Sequence, residues 1–402
     1  MTDRTTTTRA RARVIDEALP HYLEARRRGL MHLTLEGREG KTVVLPGGRR
    51  VREFINCSYL GLDQHPHVIA RGKELLDAWG VHFCCARSRF SIGPNRQLEE
   101  ALGSFFGGRA ITFPSVTATH LSVLPLVASG AIWRAEVPVR MIFDRFAHAS
   151  MASLKGLLRE SARVETIGHN DLDALESQLK QARAEGELPV YVADSVYSMG
   201  GRCPIVQVLG LAEKYDAKIY LDDAHGTSIF GPRGEGAVFE ALGGLRERII
   251  TTFSLSKGFG TNGGGVLVPT SAEEDIVRLF GQTYAFSASL DFSAMGAALA
   301  ALELHLDGTV GKLQLKLRER VARFDALMPS HAEGFSPIRM VKRSSAESAL
   351  ATGEGLIERG YFVTVALFPV VPRESPQLRV CLAIDHTDQD LTGLCAAISS
   401  LG

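Results

Sequence analysis

The fold class predicted by this sequence is α/β, with a large domain built on a doubly wound, mainly parallel sheet and a smaller C-terminal α/β domain. Three observations predict it. Short apolar runs of strand length alternate with stretches of helical periodicity through the middle of the chain, the pattern of repeated βα units. At 402 residues the chain is longer than one hydrophobic core usually serves, so more than one domain is expected. Hydrophobic residues at 45% and charged residues at 22% are ordinary globular proportions, with no internal repeat or long low-complexity tract.

Taken in order, residues 10–30 read as an amphipathic helix whose apolar set is Val14, Ile15, Leu19, Tyr22 and Leu23. A short strand over 41–45 follows, closed by the turn Pro46-Gly47-Gly48. The apolar runs 141–143, 190–193, 218–221 and 248–253 read as strands, and 172–184 and 206–215 as helices between them. A helix is expected over 292–305, and C-terminal strands near 362–367 and 378–384. The expected division is an N-terminal helix and arm over 1–50, a large domain over 51–290 and a small domain over 291–402.

Lys plus Arg and Asp plus Glu are equal at 45 each, so no global charge points to nucleic acid or an acidic membrane surface. No apolar stretch reaches the ~20 residues a membrane-spanning helix needs. The N-terminal MTDRTTTTRARARV has no apolar core behind its charges and is not read as a secretory signal; Asp3 and Glu17 argue against an organelle transit peptide. Six cysteines, 57, 84, 85, 203, 381 and 395, include no metal-type CxxC pair, and a bridge between adjacent Cys84 and Cys85 would be strained. Free thiols in a reducing cytoplasm are expected, and no metal site.

Three stretches carry chemistry, each just past an expected strand, where α/β sheets place ligands. Ser254-Leu255-Ser256-Lys257-Gly258-Phe259-Gly260 sets a lysine between hydroxyls and glycines. A desolvated lysine is a nucleophile toward an aldehyde, and glycines let a backbone approach a phosphate closely. Alone, the stretch fits an exposed loop lysine as well. Leu221-Asp222-Asp223-Ala224-His225-Gly226 delivers carboxylates to the sheet edge, although Asp223 equally suits a helix cap. Phe143-Asp144-Arg145-Phe146-Ala147-His148-Ala149-Ser150 places His148 between a strand and a helix start, which suits ring stacking in a pocket.

Together, FDRFAHAS, SVYSMGG, LDDAHGTSIFGPRGEG and SLSKGFG, in this order and spacing, resemble the α-oxoamine synthases among the fold-type I enzymes that use pyridoxal 5′-phosphate (PLP). The resemblance runs from about 54 to 386. It implies that Lys257 is the Schiff-base lysine, that Asp222 pairs with the pyridinium nitrogen, and that His225 and Ser198 bond the phenolic oxygen. His148 would stack on the ring, and Ser254 and Ser256 would bind the phosphate. Arg379 matches the arginine that grips the substrate carboxylate, and Ser287 a position that reaches a neighbouring subunit's phosphate. The implied reaction condenses an amino acid with an acyl-CoA or acyl-carrier-protein thioester, usually with loss of CO2, to an α-aminoketone. A cytoplasmic homodimer with shared active sites is implied. An aminotransferase or lyase on the same fold is the alternative, and a PLP-binding protein without catalysis a third.

The chain departs from the family's pattern at the phosphate loop. Ser115-Val116-Thr117-Ala118-Thr119-His120 stands where the family has Ser-Gly-aromatic-x-Ala-Asn. β-Branched Val116 is expected to resist a positive φ and send the loop along another path, and Thr117 to open volume near the cofactor. The family's Asn-Asp-Tyr-Leu-Gly becomes Cys57-Ser58-Tyr59-Leu60-Gly61, and its Gly/Ser-rich stretch Cys84-Cys85-Ala86-Arg87-Ser88-Arg89. His120 and Arg89 are read as added substrate-binding donors.

Overall fold

In the computed structural model of the protein, residues 4–328 and 334–402 are described. The chain divides into two compact units, Leu60–Gln314 and the remainder from both ends.

The larger unit is built on a seven-stranded sheet. Its strands are β1 (Arg109–Phe113), β2 (Val139–Asp144), β3 (Ala162–Ile167), β4 (Leu188–Asp194), β5 (Lys218–Asp222), β6 (Ile249–Ser254) and β7 (Gly264–Val268). Their order is β1-β7-β6-β5-β4-β2-β3. From β6 through to β3 every pairing is parallel, while β7 runs antiparallel to both β6 and β1. β2, β4 and β6 are buried along their whole length, as parallel strands covered on both faces must be. They therefore read as continuous apolar runs, and the expected strands at 141–143, 190–193, 218–221 and 248–253 all lie within β2, β4, β5 and β6 or one residue outside them. The 172–184 helix is found as Leu172–Ala184, capped by Asp171 accepting from Ala174 N–H, and the 206–215 helix as Ile205–Lys214.

Strands β1, β3 and β7 carry no such signal. β3 is partly exposed, and β7 opens Gly264-Gly265. A Cβ on Gly265 would lie 2.4 Å from Ile111 O and from the Phe253 ring, so only glycine lets the sheet close there. The expected small domain from 291 begins before helix Phe292–Leu306, yet that helix belongs to the larger unit. It is apolar on nearly all sides and packs against helices Pro66–Trp79 and Gly93–Phe106, so burial, not chain order, decides its place.

In the other unit, Gly37–Glu39, Thr42–Leu45 and Arg49–Glu53 form an antiparallel meander that Tyr361–Phe362 joins in parallel. β8 (Ile338–Lys342), β9 (Thr364–Ala366) and β10 (Gln377–Cys381) form a second sheet in the order β8-β10-β9. The single strand expected near 362–367 is thus two, split at buried Val363 between two sheets. The N-terminal helix spans Arg4–Arg27; among its described side chains Ala18 and Ala25 are buried, while Ile15, Leu19 and Leu23 stay exposed.

Candidate active site

Parallel strands of one length end together, so their last residues meet at one edge. Asp194 of β4, Asp222 of β5 and Thr252 of β6 stand in register there, with Ser254 and Lys257 just beyond. Asp222 is buried. Its Oδ1 accepts from Ala224 N–H at 2.9 Å and Thr252 Oγ1 at 3.0 Å, and its Oδ2 lies 3.0 Å from His120 Nε2. Burial opposes ionisation, but His120, Lys257 and His148 outweigh it and hold this carboxyl far below the usual range.

Adjacent Asp223 points elsewhere. Ser195 Oγ donates to its Oδ1, and burial pushes it up to about 7. Glycines crowd it: a Cβ on Gly226 or Gly236 would fall 1.9 or 2.1 Å from its oxygens. The acidities of two neighbouring carboxyls are thereby shifted in opposite directions. Asp223 closes the loop, and Asp222 is the anion beside Lys257.

Lys257 sits in the turn after β6, its carbonyl accepting from Gly260 N–H at 3.0 Å. The turn is closed by Ser256, whose Oγ lies 2.9 Å from both N and O of Gly263; Ser254 Oγ accepts from Ser256 N–H. His148 caps the helical turn Ala149–Ala152: its N–H donates to Asp194 Oδ1 at 2.8 Å, and its Nδ1 contacts Ser150. His225 is buried in the loop after β5, and Ser198 is half-buried after β4.

Helix Val116–Ala128 points its N-terminus beside this edge. Ser115 is the N-cap, its Oγ accepting from Ala118 N–H at 3.1 Å. Val116 is the first helical residue and has no positive φ. That agrees with the resistance to a positive φ expected of a β-branched residue. Gly264 makes room for its side chain, since a Cβ there would be 2.6 Å from Val116 Cγ2. Thr117 is exposed. Ser287 Oγ donates to Thr283 O at 2.8 Å.

His120, read as a substrate donor, is fully buried, with both ring nitrogens engaged by Asp222 and Tyr220. Arg89 is exposed and lines a cleft of about 1020 Å³ with Arg87, Glu99 and Tyr284, a cleft that includes neither Lys257 nor Asp222. Arg379 lies on β10 in the other unit, buried, with its Nη1 3.0 Å from Cys381 Sγ and Nη2 3.7 Å from Cys57 Sγ.

Two residues escape sequence reasoning. Asp194 is buried beside His148, and burial together with the charge of Asp222 pushes it well above the usual carboxyl range. The signal was present, because Asp194 closes an apolar run as Asp222 does. Arg87 is buried against Thr112 and Glu99, and nothing in its local sequence marks it over Arg89.

These residues fit PLP. An ionised, buried carboxylate suits a protonated ring nitrogen, an amine beyond the next strand suits its aldehyde, and a helix N-terminus flanked by Ser254 and Ser256 suits its phosphate. Among the described residues no group of acidic, cysteine and histidine side chains could hold a metal ion, and no helix is long and apolar enough to cross a membrane.

Residues 66–398 match the family model described as aminotransferase class I and II. A putative 8-amino-7-oxononanoate synthase of Desulforudis audaxviator is 35% identical, covering 89% of this chain and 91% of that one. The 8-amino-7-oxononanoate synthase of Alcanivorax borkumensis is 32% identical over 91% of this chain and 92% of its own. Among solved structures, Sphingomonas wittichii serine palmitoyltransferase superposes with a TM-score of 0.85 at 25% identity, covering 96% of this chain and 97% of that one. The S. paucimobilis enzyme, solved with PLP and myriocin bound, gives 0.84 with the same identity and coverage.

Proposed function

The chain belongs to the class I and II aminotransferase family and, within it, to the α-oxoamine synthases, and from that membership we propose a PLP-dependent acyltransferase that condenses an amino acid with an acyl thioester to an α-aminoketone. The observation that carries the reading is the meeting of Asp222, Lys257 and His148 at one sheet edge, with the electrostatic pull of the other two on Asp222.

PLP, when bound, supplies an aldehyde that condenses with amines and a ring that takes up negative charge from the substrate α-carbon. Asp222 Oδ2 would keep the ring nitrogen protonated. Lys257 Nζ would hold the cofactor through its aldehyde and serve as the base for the substrate's α-proton. His148 would pack on the ring, and His225 and Ser198 would donate to the phenolic oxygen. Ser115, Val116 and Thr117 at the helix N-terminus, with Ser254 and Ser256, would hold the phosphate, joined by Ser287 from a second copy. The family resemblance assigns to Arg379, whose fork matches a carboxylate, the amino acid's carboxylate. The condensation would join the α-carbon to the acyl carbonyl carbon as the carbon–sulfur bond breaks, the thiolate of coenzyme A or a carrier protein would leave with the α-proton, and a proton would replace the carboxyl lost as CO2. The six free thiols fit a reducing compartment, which we take to be the cytoplasm.

The test is thiol release from a panel of acyl thioesters, each offered with every common amino acid to the holoenzyme. Release that needs both partners, and that Lys257→Ala abolishes, is expected. Oxo-acid formation from the amino acids with no thiol released would assign an aminotransferase instead.

A further inference from the structure

Tyr220 and Asp222 lie two residues apart on β5, so their side chains share one face of the sheet. His120, on the first turns of helix Val116–Ala128, spans both: its Nδ1 is 2.9 Å from Tyr220 Oη and its Nε2 3.0 Å from Asp222 Oδ2. His120 and Tyr220 are wholly buried. We propose that His120 is a positioning residue for Asp222, holding the carboxylate that faces the cofactor's ring nitrogen and tied in turn to Tyr220. The proposal rests on the PLP reading of the site.

The direction of the bond to Asp222 follows from its partner. An ionised carboxylate only accepts, so Nε2 carries the hydrogen it receives. Burial, then the nearby charge of Asp222, pushes the Tyr220 phenol well above its ordinary value, so its hydroxyl keeps its hydrogen and can partner Nδ1 as donor or as acceptor. A partner on Nδ1 fixes the orientation of the ring, as it does for histidines whose other nitrogen binds a metal. Asp222 Oδ1 is already anchored by Ala224 and Thr252. The bond from His120 removes the last freedom of Oδ2 while leaving it a second lone pair for the ring N–H.

The arrangement explains why His stands at position 120. Among aromatic side chains only the imidazole presents a hydrogen-bonding nitrogen at each end of this span. The helix start is thereby tied to the strand end, and the phosphate-facing turn and the ring-nitrogen carboxylate move as one piece.

The experiment uses holoenzyme loaded with PLP labelled with 15N in its ring. For His120→Phe, which keeps the ring and loses both bonds, PLP affinity should fall about 10- to 100-fold, the usual worth of a hydrogen bond to a charged group. The 15N resonance should move toward the unprotonated position, and kcat should fall while the amino acid KM stays within about twofold. His120→Asn, which keeps one donor toward Asp222, should recover most of the affinity. Tyr220→Phe, which removes one oxygen, should give the same shifts at smaller amplitude and serves if His120→Phe does not fold. An unchanged 15N resonance and PLP affinity in His120→Phe, or in Tyr220→Phe where only that variant folds, overturns the proposal. Asp222→Asn in parallel separates the two readings: a ring nitrogen still protonated in that variant removes Asp222 from the site and the proposal with it.

Discussion

Asp222 and Asp223 are neighbours of identical chemistry whose acidities are shifted in opposite directions, and the difference lies in what each faces. Asp222 meets His120, Lys257 and His148; Asp223 meets Ser195 and backbone amides. Asp222→Asn should therefore keep some PLP and lose most turnover. Removing one partner of a buried charge pair costs about 3–5 kcal/mol, or roughly 100- to several-thousand-fold in rate. Asp223→Asn should instead act on stability. A buried carboxyl raised to about 7 makes the folded state bind the extra proton, so its contribution falls as pH rises from the ordinary carboxyl range through about 7 and is flat above. Urea unfolding at pH 5 and pH 8 should show that Asp223→Asn removes this part of the slope; equal slopes in the two proteins would dismiss it. The motif made Lys257, Asp222, His148 and His225 visible because each follows an apolar run. It could not show which way His120 points, since burial against Tyr220 is a tertiary fact.

At the scale of elements, fully buried parallel strands were legible because they are apolar throughout, whereas β7 was hidden by the glycines that make it possible. The same glycines bear on the phosphate end of the site. Gly264 faces Val116 Cγ2 and Phe253 O, so a methyl group there meets both at under 3 Å. Gly264→Ala should cost about 1–3 kcal/mol of stability by overpacking and weaken PLP binding by shifting the helix start. Fluorescence titration of PLP and urea unfolding read the two effects. Wild-type values in both would mean that Val116 yields freely and that the strand–helix contact positions nothing. The split at Val363 teaches a related point: a run of strand-forming residues announces extended chain but not which sheet each half will join.

For the whole molecule, the sequence foretold several domains but not that both chain ends would build one unit, because packing between distant segments leaves no local periodicity. It also could not show which apolar residues stay outside. Phe286 is 87% exposed, and Phe280, Leu279 and Phe90 are each more than 60% exposed. Phe83 and Phe90 meet edge to face, while Phe90 and Leu279 line the same cleft. The N-terminal helix separately exposes Ile15, Leu19 and Leu23 at i, i+4 and i+8, one continuous stripe. Within the larger unit, the exposed residues around Phe90 and Leu279 are apolar surface of the kind that marks an interaction face. The proposed reach of Ser287 to a neighbouring phosphate would make the partner a second copy of the chain, and a closed two-fold pairing is the commonest way copies associate. The holoenzyme should therefore sediment as a dimer. Phe90→Asp combined with Phe280→Asp, exposed positions whose change leaves the described core intact, should give monomers that lose thiol release in step with dissociation. A fully active wild-type monomer in sedimentation velocity at assay concentration would rule out the shared site.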